Sequence, residues 1–234
     1  MEALKGRPDT VTRIAIAQGV VNSRVQGELM TRAKEARVKV EVVDRDRLDR
    51  MTDGEAHQGI VAEVKDFEYI GLAELIQKAK SSGKQPIVVL LDGIQDPHNV
   101  GAIIRSAHAF GAQGVVIMKD RASQVTGVAV KASAGATAHM NIARVTNLSR
   151  AIEELKDAGF WSVAADPEGK EIAWQAKLTG PLAVIVGAEG SGVRKGVLSH
   201  ADYKVRIPMQ GQVGSLNASV STGVLLYEIA RQRG

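Results

Sequence analysis

The chain has 234 residues, 44% of them apolar and 24% charged, with a net charge of +4 and no cysteine. Those proportions belong to a soluble protein with room for one large domain or two small ones. The lack of thiols excludes disulfides, thiolate chemistry and thiolate-bound zinc. No apolar run approaches the roughly 20 residues that span a bilayer. The opening Met1-Glu-Ala-Leu-Lys-Gly has no signal-peptide core, so a cytoplasmic protein with no membrane partner is expected. Aromatic residues make up only 3% of the chain. The core must therefore come from Val, Ile, Leu and Ala, as in an α/β protein with a β-branched sheet.

The first 66 residues alternate strand and helix signals. Val11–Gln18 (VTRIAIAQ) reads as a strand. Ser23 is a candidate cap for a helix over Arg24–Arg37. Val38–Val43 (VKVEVV) alternates like a half-buried strand, Asp44–Met51 is a short charged helix, and Gly59–Val64 (GIVAEV) is a third strand. This unit holds no nucleophile beside a base and no Gly-rich phosphate loop, so it is expected to bind rather than catalyse. Leu72–Lys80 reads as a helix and Ser81–Pro86 as a linker. The domain boundary is placed within 67–85, with a first domain over 1–66 and a second over 86–234.

In the second region Ile87–Leu91 (IVVLL) is a continuous apolar run of the kind buried in parallel sheets. A helix over Asn99–Phe110, a strand over Gly114–Met118, a helix over Thr126–Ser133 and a strand over Asn141–Thr146 follow. Asn147 caps a helix over Leu148–Ala158, and Trp161–Ala165 and Leu182–Val186 (LAVIV) are strands. Val193–Leu198 is a short helix, Tyr203–Ile207 a last strand and Leu216–Arg231 a terminal helix. Strands separated by helices predict a doubly wound parallel sheet, with ligands beyond the carboxyl ends of its strands. The charge excess lies here too. Residues 84–234 carry 16 Lys/Arg against 12 Asp/Glu, whereas 1–66 carry 12 of each, a hint of an anionic partner.

Three segments that follow these strands carry the polar chemistry. In Asp92–Arg105, Gly93 and Pro97 make a turn, and Asp96 or Asn99 can cap the next helix. Six helical steps separate Asn99 from Arg105, about 240° after full turns. The two share a site only if Asn99 sits in the loop at the helix mouth. In Gly187-Ala-Glu-Gly-Ser-Gly192 the glycines allow close backbone approach, but neither a dinucleotide fingerprint nor a P-loop is present. Glu189 among them repels phosphate and suits a ligand with donors, such as a ribose, a guanine edge or an ammonium group. The third segment, Ile207 to Asn217, gathers Gly, Gln, Ser and Asn without a charge. Ser215 or Asn217 can cap the last helix, but one cap does not account for all these polar residues. The five histidines show no ligand spacing beside placed acids, so no metal site is expected.

Taken together, Asn99-Val-Gly-Ala-Ile-Ile-Arg105, Gly187–Gly192 and Ile207-Pro-Met…Ser215-Leu-Asn-Ala-Ser-Val-Ser-Thr-Gly223 resemble the three motifs of the SpoU/TrmH family. These are S-adenosylmethionine-dependent 2′-O-ribose methyltransferases of tRNA and ribosomal RNA. The N-terminal part, closing on His57-Gln-Gly-Ile-Val-Ala-Glu-Val64, resembles the L30e-like substrate-binding domain of many members. The branch that methylates a guanosine of 23S ribosomal RNA is the most similar. Its members usually begin with one further segment, so the first strand of this domain is expected to be missing. Ser221 stands where many members have Ala. The resemblance implies an α/β fold with a parallel sheet and a C-terminal deep trefoil knot, a homodimer, and RNA as partner. It implies S-adenosylmethionine held near Gly187, Gly192, Ile207, Met209 and Leu216. It also implies catalysis by Arg105, with Asn99, Glu189, Ser215 and Asn217 orienting the ribose, Arg105 or the methionine part of the cofactor. A tRNA methyltransferase or an antibiotic-resistance methyltransferase of ribosomal RNA is the alternative within the family. An inactive RNA-binding module is the alternative outside it.

Overall fold

The structure is a computed structural model that describes residues 4, 8–19, 24–54, 57–83, 85–212 and 214–234. Contacts divide the chain into two compact units, Met1–Phe67 and Glu68–Gly234. In the first unit β1 (Val11–Ala17) lies between β2 (Lys39–Val43), which is parallel to it, and β3 (Ile60–Val64), which is antiparallel. Alternation along β1 separates two small cores. Ile14 and Ile16 pack with Leu4, Leu29 and Ala33 on one face, while Ala15 and Ala17 pack with Val43 and Leu48 on the other. Leu29 and Ala33 come from α1 (Arg24–Glu35), and Leu48 from α2 (Arg45–Met51). The candidate cap Ser23 and residues 1–3, where a missing first strand would bear, lie outside the described residues.

The second unit is built on seven strands in the order β6-β5-β4-β9-β7-β10-β8, and every pairing is parallel. The strands are β4 (Ile87–Asp92), β5 (Gly114–Met118), β6 (Asn141–Val145), β7 (Trp161–Ala165), β8 (Glu171–Ile172), β9 (Leu182–Gly187) and β10 (Tyr203–Arg206). The apolar runs of β4, β5 and β9 are buried along their whole length, as strands covered on both faces must be. The two-residue β8 is too short to leave a periodicity and was not expected. The span 67–85 holds α3 (Leu72–Lys80), whose Leu75 and Ala79 are fully buried in the core of this unit. The strand order runs outward through β4, β5 and β6, then reverses. The late strand β9 is laid between β4 and β7, with β10 beyond β7. Such a reversal opens a crevice at the carboxyl ends of the strands.

Candidate active site at the carboxyl ends of the sheet

Local capping decides which residues reach this crevice. The helix after β4, α4 (Pro97–Ala109), starts two residues earlier than its apolar spacing suggests. Asp96 is its cap, accepting the His98 N–H at 2.9 Å, and Pro97 takes the first helical position, where a missing N–H costs nothing. Asn99 is therefore not the cap, nor does it sit in a loop. It lies in the first turn, with its amide free for other partners. At the other end of the chain the terminal helix α8 (Ala218–Gln232) starts later than expected because Asn217 caps it. Its Oδ1 accepts from Ser219 N–H at 2.9 Å, Ser219 Oγ–H at 2.6 Å and Val220 N–H at 3.3 Å. Ser215 and Leu216 are thereby left in the preceding loop.

The Gly-rich segment after β9 folds back on itself. Gly192 N–H donates to Ala188 O at 2.8 Å and Ser191 N–H to Glu189 O at 2.9 Å, while Gly190 and Gly192 adopt φ of +76° and +64°. A Cβ on Gly187 would stand 2.0 Å from Gly192 C and 2.1 Å from Val193 N, so only glycine fits there. This turn carries Glu189 outward to the two asparagines. Asn99 Nδ2 donates to Glu189 Oε1 at 2.9 Å, and Asn217 Nδ2 donates to Asn99 Oδ1 at 2.9 Å and also to Glu189 Oε1. One residue from each of the three segments thus meets in a closed hydrogen-bonded triangle. Asn217 has all its amide groups engaged and acts as a strut. Glu189 keeps Oε2 free of side-chain partners among the described residues.

A latch behind the triangle fixes both loops. Asp92 ends β4 opposite Gly187 of β9, with its side chain fully buried. Its oxygens accept from Arg194 N–H at 2.8 Å, from Nε at 2.8 Å and from Nη2 at 2.6 Å. A buried carboxylate needs such donors. Arg194 stays extended because its backbone N–H is engaged this way, and the short helix α7 is confined to Lys195–Leu198.

Beside the triangle lies an open cleft. Gly187, Gly192, Ile207, Met209 and Leu216 all line it, as do Ser215 and Glu189. Asn99, Asn217 and Arg105 do not. Sequence reasoning missed Asp166 and Pro167, which follow β7 and also line the cleft. Their position just past a strand next to β9 was the only signal available. Arg105 is exposed on α4 and makes no side-chain hydrogen bond or ion pair among the described residues. The early start of α4 puts it on a different side of the helix from Asn99, so the loop position that would have joined them is not adopted. No cluster of three or more His, Cys, Asp or Glu able to hold a metal occurs among the described residues. Nor is any described helix long and apolar enough to cross a membrane.

The sequence profile of the SpoU rRNA Methylase family matches residues 86–227, and that of the RNA 2′-O ribose methyltransferase substrate-binding region matches residues 1–70. The chain is 40% identical to the 23S rRNA (guanosine-2′-O-)-methyltransferase RlmB of Haemophilus influenzae, over 97% of its own length and 92% of that protein. It is 46% identical, over 83% of its length, to an uncharacterized tRNA/rRNA methyltransferase of Synechocystis, and spans about half (51%) of that longer protein. Among solved structures, the SpoU methyltransferase AviRb of Streptomyces viridochromogenes in complex with AdoMet superposes with a TM-score of 0.79. The identity is 26%, and 99% of this chain and 86% of that one are covered. With three motif segments closing one site on a sheet shared with these proteins, the chain belongs to the SpoU rRNA methylase family.

Proposed function

We propose that this protein methylates the ribose 2′-hydroxyl of a guanosine in 23S ribosomal RNA, using S-adenosylmethionine. The Asn99–Glu189–Asn217 triangle carries the proposal, because it joins three sequence-distant segments at the mouth of the cleft. RlmB relatives aligned over nearly the whole chain favour ribosomal RNA as the substrate.

The cleft fits this cofactor. Val186, Ile207, Met209 and Leu216 offer apolar walls to a flat adenine, and the cradle at Gly187 admits close backbone contact. The only charged side chains lining it among the described residues are the carboxylates Asp166 and Glu189. They suit a ligand with cationic centres and hydroxyls. The bound cofactor supplies an electrophilic methyl group. The chain must hold the 2′-hydroxyl in line with it and ease the loss of its proton. Asn99 and Asn217 hold Oε1 of Glu189 and so aim Oε2 at the cofactor or the ribose. Ser215 lines the same wall.

Arg105 is the catalytic group in this reading. Its guanidinium stays charged at any working pH, so it serves to stabilise the developing alkoxide or grip the adjoining phosphate. It stands apart from the triangle within one chain, and a homodimer would complete the site. An exposed apolar stripe on α8 supports such pairing: Val220, Val224 and Tyr227 are 49%, 39% and 59% exposed. The first unit would bind RNA in the cytoplasm. Its sheet face is already neutralised, since Arg13 pairs with Glu63 and Glu41, while Lys39 and Arg47 also reach Glu41.

The test is to incubate the protein with labelled S-adenosylmethionine and separate pools of tRNA and unmodified ribosomal RNA, then map the labelled ribose. Label on a 23S guanosine is expected, and no label in either pool would overturn the function. Arg105→Ala should abolish transfer while leaving the cofactor Kd near that of the parent. Near-normal turnover would remove Arg105 from the mechanism.

A further inference from the structure

Beyond β5, on the same end of the sheet as the cleft, the loop Lys119-Asp-Arg-Ala-Ser-Gln124 is tied down by hydrogen bonds. Gln124 Nε2 donates to the carbonyls of Met118, Lys119 and Ala122 at 3.1, 3.2 and 3.2 Å. Lys119 N–H donates to Val145 O at 2.7 Å, Ser123 N–H to Ile94 O at 2.8 Å, and Val125 N–H to Tyr69 Oη at 3.0 Å. Within this frame Arg121 is fixed at φ +57°, a backbone conformation that costs about 1 kcal/mol or more for a non-glycine residue. The loop is held this way although it buries none of Lys119, Asp120 or Arg121, which are all exposed.

A second cationic segment adjoins it. Arg194 Nη2 lies 3.0 Å from Met118 Sδ, immediately before Lys119, and Lys195 follows Arg194. Lys119, Arg121 and Lys195 have no side-chain hydrogen bond or ion pair among the described residues. Many other cations of this unit are engaged, as in Lys78–Glu74, Arg150–Glu154, Lys156–Asp202 and Arg231–Glu228. Of the acids on this side of the sheet, Asp92 is buried and consumed by Arg194, Asp96 caps the following helix and Asp120 is exposed. The Asp92–Arg194 latch joins this cationic rim to the loop that carries Glu189.

We propose that Lys119, Arg121 and Lys195 form a phosphate track that holds the RNA strand leading into the methylation site. The track rests on the methyltransferase reading above for its partner, an RNA backbone. It adds that the catalytic unit, and not only the first unit, grips substrate. A strand laid from the β5 rim across β4 reaches Glu189 and the cleft without leaving the carboxyl end of the sheet. Each neutralised phosphate releases counterions, which makes binding salt-dependent.

The experiment measures affinity of the full chain for a 23S ribosomal RNA transcript over a series of KCl concentrations. Parent, Lys119→Ala, Arg121→Ala, Lys195→Ala and the triple variant are compared, with Lys177→Ala as an exposed control outside the track. All are surface changes that leave the fold intact, verified by an unchanged S-adenosylmethionine Kd. Each single variant should bind RNA roughly three- to tenfold more weakly, and the triple variant should lower the slope of log K against log salt by about two. A triple variant with the parent's slope, or with losses no greater than Lys177→Ala, overturns the track. An inactive parent protein whose RNA slope still falls in the triple variant would overturn the methyltransferase reading and leave the track standing.

Discussion

At the amino end of the seven-stranded sheet, Asp202 accepts from Ser162 N–H at 2.9 Å, from Ser162 Oγ–H at 2.7 Å and from Lys156 Nζ at 3.0 Å. Lys156 also reaches His200 O, and His200 Nδ1 meets Glu153 at 2.6 Å. Each polar side chain of that network has a partner among the described residues. At the carboxyl end the polar groups are equally ordered but not all spent. Asp92 and Asn217 are consumed as a latch and a strut, while Glu189 Oε2, Lys119, Arg121 and Lys195 have no side-chain partner among the described residues. A satisfied network contributes to stability. One with directed spare valences costs something in the isolated chain and fits a ligand.

The contrast should break most completely at Gly187. Gly187→Ala forces a Cβ into the backbone of Gly192 and Val193, and that backbone cannot move without dragging Glu189 and the cleft wall. Calorimetric titration with S-adenosylmethionine is expected to show no measurable binding, and methyl transfer should vanish. An alanine variant that binds the cofactor like the parent would show that the turn is not the cradle. Glu189→Gln is the finer instrument. It keeps an oxygen for Asn99 and Asn217 but removes the charge, so the triangle should persist. Cofactor affinity should fall about tenfold, or roughly 1.4 kcal/mol. An unchanged affinity would mean that Glu189 faces the ribose alone, and the loss would then appear in kcat.

How much of this the sequence revealed follows from how locally each feature is determined. The strands β4, β5 and β9 were legible because burial on both faces leaves an unbroken apolar run. The fold family and the three site segments came from motif order, not from periodicity. Helix starts were less legible. Asp96 and Asn99, and again Ser215 and Asn217, offer equally good caps on paper. The choice was made by tertiary partners, since Asn99 is drawn to Glu189, 90 residues away. The latch was invisible for the same reason. Asp92 and Arg194 are 102 residues apart, and nothing local marks them as a pair. Arg105 shows the converse: its motif is plain in the sequence, yet a single chain does not carry it to the triangle.

The smallest expected effect lies at the closed end and checks that it is structural. Burial pushes the Asp202 carboxyl up, but the hydrogen bonds from Ser162 and the Lys156 ammonium outweigh this and hold it below the usual value. A group whose pKa is lower in the folded than in the unfolded chain stabilises the fold above its unfolded pKa, about 3.9 for Asp. That contribution disappears as the pH falls through the folded value. Asp202→Asn should therefore lower stability at pH 7 by about 2 kcal/mol, the scale of lost charge-assisted hydrogen bonds. Urea unfolding of parent and variant should begin to converge as the pH drops below about 4 and meet only once it has fallen through the lower folded value, where the parent carboxylate is itself protonated. Cofactor affinity and turnover at pH 7 should stay within twofold of the parent, because the network meets neither the cleft nor the triangle. A variant equally stable at pH 7 but impaired in transfer would mean that the two ends of the sheet are coupled, and that spent and spare polar groups are not as separate as their hydrogen bonds make them.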